Sequence, residues 1–90
     1  MKVGQLDEVV DVCNMLGDPK RARIVASLAK GPKWVGGLSK ELRIPQPNTS
    51  HHLALLRMSG LVRRQRKGRQ MVYSLEKQRL TPVKKFLAQL

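Results

Sequence analysis

The 90-residue chain has one cysteine, one tryptophan, one tyrosine, one phenylalanine and only six acidic residues. The lone Cys13 can form no intrachain disulfide and offers no Cys-x-x-Cys pair for metal or redox chemistry. No apolar run approaches the roughly twenty residues that a membrane helix needs, and MKVGQLDEVV at the N-terminus lacks the apolar core of a secretory signal. The expectation is a cytoplasmic protein with no membrane partner. There is no nucleophile and base pair, no carboxylate pair in an apolar setting and no phosphate-cradling glycine loop, so an enzyme is not expected. His51 and His52 are adjacent and point about 100° apart on a helix, a poor chelating pair. Neither a metal nor a cofactor is expected.

What the chain has in excess is positive charge. Eighteen Lys and Arg against six Asp and Glu give a formal charge of +12 and a pI near 11.0. That balance suits a surface that meets phosphate, although acidic proteins and membrane surfaces attract it too. Asp7, Glu8 and Asp11 read as solvated charge. Ninety residues are expected to form one domain over 1–90 with a modest core.

Apolar spacing gives the order of elements. Leu6, Val9, Val10, Cys13 and Leu16 mark a first helix from about Leu6 to Leu16, ended by Gly17. Asp18 followed by Pro19 starts a second helix, to about Ala29, with Ile24, Val25 and Leu28 inward. Lys20, Arg21 and Arg23 fall near its start, the unfavourable end of the helix dipole for cations. They read as solvated charge, as phosphate contacts or as dimer-surface pairs. Trp34 is expected to anchor the next loop against the core. A short helix over about Val35 to Leu42 carries Gly36 and Gly37, which weaken it by up to about 1 kcal/mol each and imply close packing.

The stretch from Leu38 to Val62 organises the rest. Leu38 and Leu42 share a helix face, Arg43-Ile44-Pro45 must turn, and Pro47 can open a second helix reaching Met58. Thr49, Leu53 and Leu56 form its inward stripe. The opposite side presents Pro47, Asn48, Ser50, His51, Ala54 and Leu55, with no acid among them. Such a face suits a DNA major groove, where amide, hydroxyl and imidazole groups meet base edges. His51 reads as a base or phosphate contact, and His52, at the edge of the stripe, as a packing or phosphate-facing residue.

Ser59-Gly60 ends that helix. Two runs of β-formers, Leu61 to Arg66 and Gln70 to Leu75, then flank a glycine-containing tip, the pattern of a hairpin. Its register is open: Val62 faces inward with either Val72 and Ser74, or Met71, Tyr73 and Leu75. Arg63, Arg64, Arg66, Lys67 and Arg69 place five cations within seven residues. Directly after a helix-turn-helix, such a hairpin reads as a wing that grips phosphates or reaches the minor groove. A last helix from about Gln78 to Leu90 carries Leu80, Val83, Leu87 and Leu90 on one stripe, with little left to bury against inside so small a domain. A partner chain is expected to cover it, with the first helix as the other half of the interface.

The residues quoted so far, from Leu16-Gly17-Asp18-Pro19-Lys20-Arg21 through Gln46-Pro47, Ser50, His52-Leu53 and Ser59-Gly60-Leu61-Val62 to Tyr73-Ser74-Leu75, resemble the ArsR/SmtB family of winged-helix regulators. The resemblance implies a mainly α winged helix-turn-helix with a small β-hairpin, in the order α-α-α-α-β-β-α. It implies a homodimer built on about residues 6–16 and 78–90 through Leu6, Val9, Val10, Cys13, Leu80, Val83, Leu87 and Leu90. Double-stranded DNA is the implied partner. The positions matching the reading helix are Gln46, Asn48, Thr49, Ser50, His51 and His52, and those matching the wing are Arg63, Arg64, Arg66, Lys67 and Arg69.

The departures from the family pattern are specific. Trp34 and Gly36 stand where metal-sensing members carry cysteines, residues 78–90 hold no His, Asp or Glu, and one Cys13 cannot supply two redox thiols. The expected function is a sequence-specific transcription regulator, a repressor acting as a homodimer on a palindromic operator and not sensing metal. A protein-interaction module and a non-specific nucleic-acid-binding winged-helix protein are the alternatives. The sequence identifies no effector, whether small molecule or protein.

Overall fold

The computed structural model describes residues 1–90. Five α-helices, α1 (Val3–Leu16), α2 (Pro19–Leu28), α3 (Val35–Leu42), α4 (Gln46–Met58) and α5 (Thr81–Ala88), carry the fold with three short strands, β1 (Lys33–Trp34), β2 (Val62–Lys67) and β3 (Gln70–Leu75). The helix order is the expected one. The strand β1 is an addition: it pairs with β3 through Lys33 with Tyr73 and Trp34 with Val72, giving an antiparallel sheet of order β1-β3-β2. No helix is long and apolar enough to cross a membrane.

Local chemistry sets the ends of the elements. Asp18 caps α2, its Oδ1 accepting from the N–H groups of Lys20 at 2.8 Å and Arg21 at 3.0 Å. Arg21 closes the corner from the other side. Its Nε and Nη2 donate to the Met15 and Asn14 carbonyls at the end of α1, so this arginine is a helix cap and not free charge. The α4 helix ends in a Schellman turn. Leu61 N–H bonds the Leu56 carbonyl and Gly60 N–H the Arg57 carbonyl, with Gly60 at φ +82.

The last helix begins later than its apolar stripe suggests. Pro82 has no N–H, so the Gln78 carbonyl takes the Thr81 N–H instead and residues Lys77–Leu80 form a 3₁₀ turn. The core is built from Val12, Ile24, Leu38, Leu53, Leu56 and Leu61, all nearly or fully enclosed. A polar tie crosses its edge: Lys33 Nζ lies 2.6 Å from Glu41 Oε1 and 2.9 Å from Ser27 Oγ, and Ser27 Oγ donates to Glu41 Oε2 at 2.6 Å. It joins α2, β1 and α3.

Trp34 does not anchor inward. It stays 45% exposed, and its ring lies across the first turn of α3. A Cβ on Gly36 would fall 2.4 Å from the ring, and one on Gly37 2.9 Å. The two glycines are the seat of the indole.

Candidate nucleic-acid interface

The helix-turn-helix is α3, the turn Arg43-Ile44-Pro45, and α4. Arg43 adopts φ 56 and ψ 44, the left-handed conformation that usually falls to glycine. Ile44 is 4% exposed and pins the turn to the core. Its carbonyl accepts from Ser39 Oγ on α3 and from Thr49 Oγ1 on α4, the latter at 3.4 Å, while Thr49 Oγ1 also lies 3.2 Å from the Pro45 carbonyl. Thr49 is fully buried, so its side chain is not presented on the outer face of α4 with the other expected reading residues. Its place on the inward stripe with Leu53 and Leu56 overrides the position it shares with the family's reading helix.

The other side of α4 is open. Gln46, Asn48, Ser50 and His51 are exposed, whereas Ala54 and Leu55 are half-buried, so the free face covers the first two turns. Pro45 caps the helix without a side-chain bond and Pro47 has no N–H, which leaves the N–H groups of Gln46 and Asn48 without partners. Free donors at a helix N-terminus suit a phosphate oxygen. His52 turns back toward α2: its Nδ1 is fully enclosed with no hydrogen-bond partner. Burial pushes its pKa below the ordinary value, against the pull of the Asp18 carboxylate.

The wing settles the open register. Val62 pairs with Leu75, Arg64 with Tyr73 and Arg66 with Met71, so Met71, Tyr73 and Leu75 share a face with Val62, the one buried residue of β2, while Val72 and Ser74 share the other face with Gln65 and Arg63. Lys67 and Gln70 close the hairpin around Gly68-Arg69. Gly68 sits at φ +64 and Arg69 does not take a positive φ, the pattern of a type II′ turn. Arg64, Arg66, Lys67 and Arg69 are exposed and have no acidic partner. Arg63 departs from the expected free cation. Its Nη1 donates to Glu76 Oε1 at 2.7 Å, and Glu76 also accepts from Gln78 Nε2, so this arginine braces the root of the wing.

The acidic residues are segregated. Asp18 is a cap, Glu41 and Glu76 are paired, and Asp7, Glu8 and Asp11 all stand on α1. Neither α4 nor the wing carries one. No three His, Cys, Asp or Glu side chains converge as metal ligands would.

The α1 and α5 face is only partly as expected. The two helices pack on each other within the chain, because each has an apolar stripe wide enough to serve its own partner first. Val9 is consequently buried inside the chain, and Leu80 and Val83 are half-buried against its core. Leu6, Val10, Cys13, Leu87 and Leu90 remain outward.

Comparison with known proteins agrees with this architecture. The model of the bacterial regulatory protein arsR family matches residues 18–64. The HTH-type transcriptional regulator KmtR of Mycobacterium tuberculosis is 43% identical over 68 residues, covering 76% of this chain and 52% of the relative. The chain spans about half the length of such curated relatives. Among solved structures, the transcriptional repressor BigR from Xylella fastidiosa superposes with a TM-score of 0.79 at 31% identity, over 94% of this chain and 88% of that one. The homodimeric winged helix-turn-helix domain of a Mycobacterium bovis regulator gives 0.76 at 25% identity, over 92% and 79%. By its family match, its relatives and its winged helix-turn-helix fold, this chain belongs to the ArsR family of bacterial regulatory proteins.

Proposed function

We propose that the chain is a sequence-specific DNA-binding transcription regulator: a homodimer that sets two α4 helices into successive major grooves of a palindromic operator and represses by occlusion. The observation that carries this reading is the exposed run Gln46, Asn48, Ser50 and His51 beside a wing with four unpaired cations and no acid. Amides, a hydroxyl and an imidazole at the start of a helix suit base edges, and the wing cations suit flanking phosphates. The apolar remainder of α1 and α5 suits a second copy, as in the homodimeric M. bovis relative. The repressor assignment draws on BigR.

Metal sensing is not part of the proposal. The resemblance aligns Trp34 and Gly36, neither of which can ligate a metal, with the cysteines of metal-sensing members, and residues 78–90 contain no His, Asp or Glu.

The test is a footprint on the chain's own upstream region in the presence of excess competitor DNA. The proposal requires a protected inverted repeat whose half-sites are about 10 base pairs apart or a multiple of that. Protection that vanishes with competitor would sink it and leave a basic docking module or a non-specific binder.

A further inference from the structure

Beyond the core shared by α2 and α4, the reading helix turns one ring toward the corner between α1 and α2. His52 follows the exposed His51 on α4 but turns inward, and its Nδ1 is enclosed without a partner. The groups that face it come from two elements. From the start of α2 they are its cap Asp18 with Lys20 and Arg21, and from α4 itself His51, whose ring centroid lies 5.9 Å away.

Two of those neighbours, Asp18 and Arg21, are already tied into the corner. Asp18 Oδ1 holds the Lys20 and Arg21 N–H groups, and Arg21 reaches back to the Met15 and Asn14 carbonyls of α1. The ring thus lies toward the positive end of the α2 dipole, near a corner held by its own hydrogen bonds. A neutral imidazole fits there. An imidazolium would gain the Asp18 carboxylate but meet Lys20, Arg21, the dipole and the loss of water, and the balance opposes the charged form. Because α1 carries the face assigned above to the second copy, this corner links the dimer helix to the reading helix.

We propose that His52 is a positioning residue whose uncharged ring wedges α4 against the α1–α2 corner, so that a proton on this ring releases the reading helix and weakens operator binding. The inference rests on the DNA-reading role proposed above, and two measurements keep the tie and that role distinguishable.

The first needs no DNA. In an NMR titration of the full chain from about pH 8 to about pH 5, a range that brackets the ordinary histidine value, His52 is expected to titrate below that ordinary value. The Lys20 and Arg21 amides should follow the His52 midpoint, and that response should be absent in His52→Gln. The second uses a duplex selected by the protein from a random pool near neutral pH, with binding read by fluorescence anisotropy. Acidification should weaken wild-type binding about tenfold for each unit separating the His52 pKa in the seated and released helix. His52→Gln should change by less than about threefold, and His51→Gln, which leaves the enclosed His52 ring in place, should keep the wild-type acid loss.

Circular dichroism at each pH checks that the fold persists. Lys20 and Arg21 amides that do not follow the His52 midpoint, or a His52→Gln variant with the full wild-type acid loss, would overturn the proposal. Should His52→Gln not fold, His52→Asn replaces it in both measurements. Failure to select any duplex refutes the DNA-reading role while the amide titration still judges the tie.

Discussion

Ser39 and Thr49 donate to the same oxygen, the Ile44 carbonyl, from the two helices on either side of the turn. Ser39 supplies the shorter bond, and the single Thr49 proton, shared with the Pro45 carbonyl at 3.2 Å, is the reserve donor for that oxygen. Thr49→Val is therefore expected to cost about 1 kcal/mol and Ser39→Ala a similar amount, whereas the double variant should cost more than their sum because Ile44 is left unsatisfied. Urea denaturation of the four proteins measures the excess. Simple additivity would show that the two bonds act independently.

Arg43 holds a left-handed conformation at φ 56, strained for any residue with a Cβ. Arg43→Gly should raise stability by up to about 1 kcal/mol, after allowing for the extra freedom of glycine in the unfolded chain. The same variant should bind every duplex more weakly, with the salt slope reduced by about one, if the side chain meets phosphate. Unchanged affinity would leave the strain without a functional reason.

Trp34 and Gly36 are coupled through a contact that no side chain can enter. Gly36→Ala is expected to displace the indole, red-shift the single-tryptophan fluorescence and destabilise the fold. In a Trp34→Ala background the same change should stabilise α3 by about 0.5–1 kcal/mol, because alanine outranks glycine in a helix. The reversal of sign, read by thermal unfolding of the four proteins, is the outcome to check.

Acid should act on stability through three groups. The Lys33 ammonium holds Glu41 below its ordinary 4.5, and the Arg21 backbone N–H holds Asp18 below its ordinary 3.8. A carboxylate lowered in the folded state contributes stability that is present above the ordinary value and lost as pH falls through the folded one. His52, lowered from 6.5 by burial, binds its proton more readily unfolded, so it too removes stability as pH falls from about 6.5 to its folded value. Denaturation midpoints should drop in two stages, and Lys33→Met should blunt the lower one.

Wing and helix should divide their labour. Arg66→Ala or Arg69→Ala is expected to weaken cognate and scrambled duplexes alike and to lower the salt slope by about one each. Arg63→Ala should lower it less, since that cation already faces Glu76. Asn48→Ala or His51→Ala should instead relax discrimination at one or two base pairs. Equal losses on all sequences for the helix variants would refute this division.

The periodic part of this architecture was legible without coordinates. Asp18-Pro19, Ser59-Gly60 and the stripe Thr49, Leu53, Leu56 locate helix ends and faces because capping and 3.6-residue spacing are local properties. The inward turn of Thr49 followed from its stripe, and only the family position argued otherwise. What escaped was set by partners distant in sequence. Arg21 looked like surface charge because the carbonyls it caps belong to the preceding helix. Trp34 was drawn inward by its size, yet the glycines two and three residues later gave it a seat on the surface. Arg63 could not be told from its neighbours until Glu76 came beside it. The hairpin register waited for Tyr73, since either alternation satisfied a period of two.

The outward leucines and valine of the two terminal helices have a consequence for measurement. Only 14 of 90 residues are buried in the lone chain, so docking of a like molecule would supply a large share of its apolar burial. Unfolding temperatures should then climb with protein concentration by mass action, and dilution alone should lower them. A value quoted without the concentration at which it was recorded would not describe the molecule.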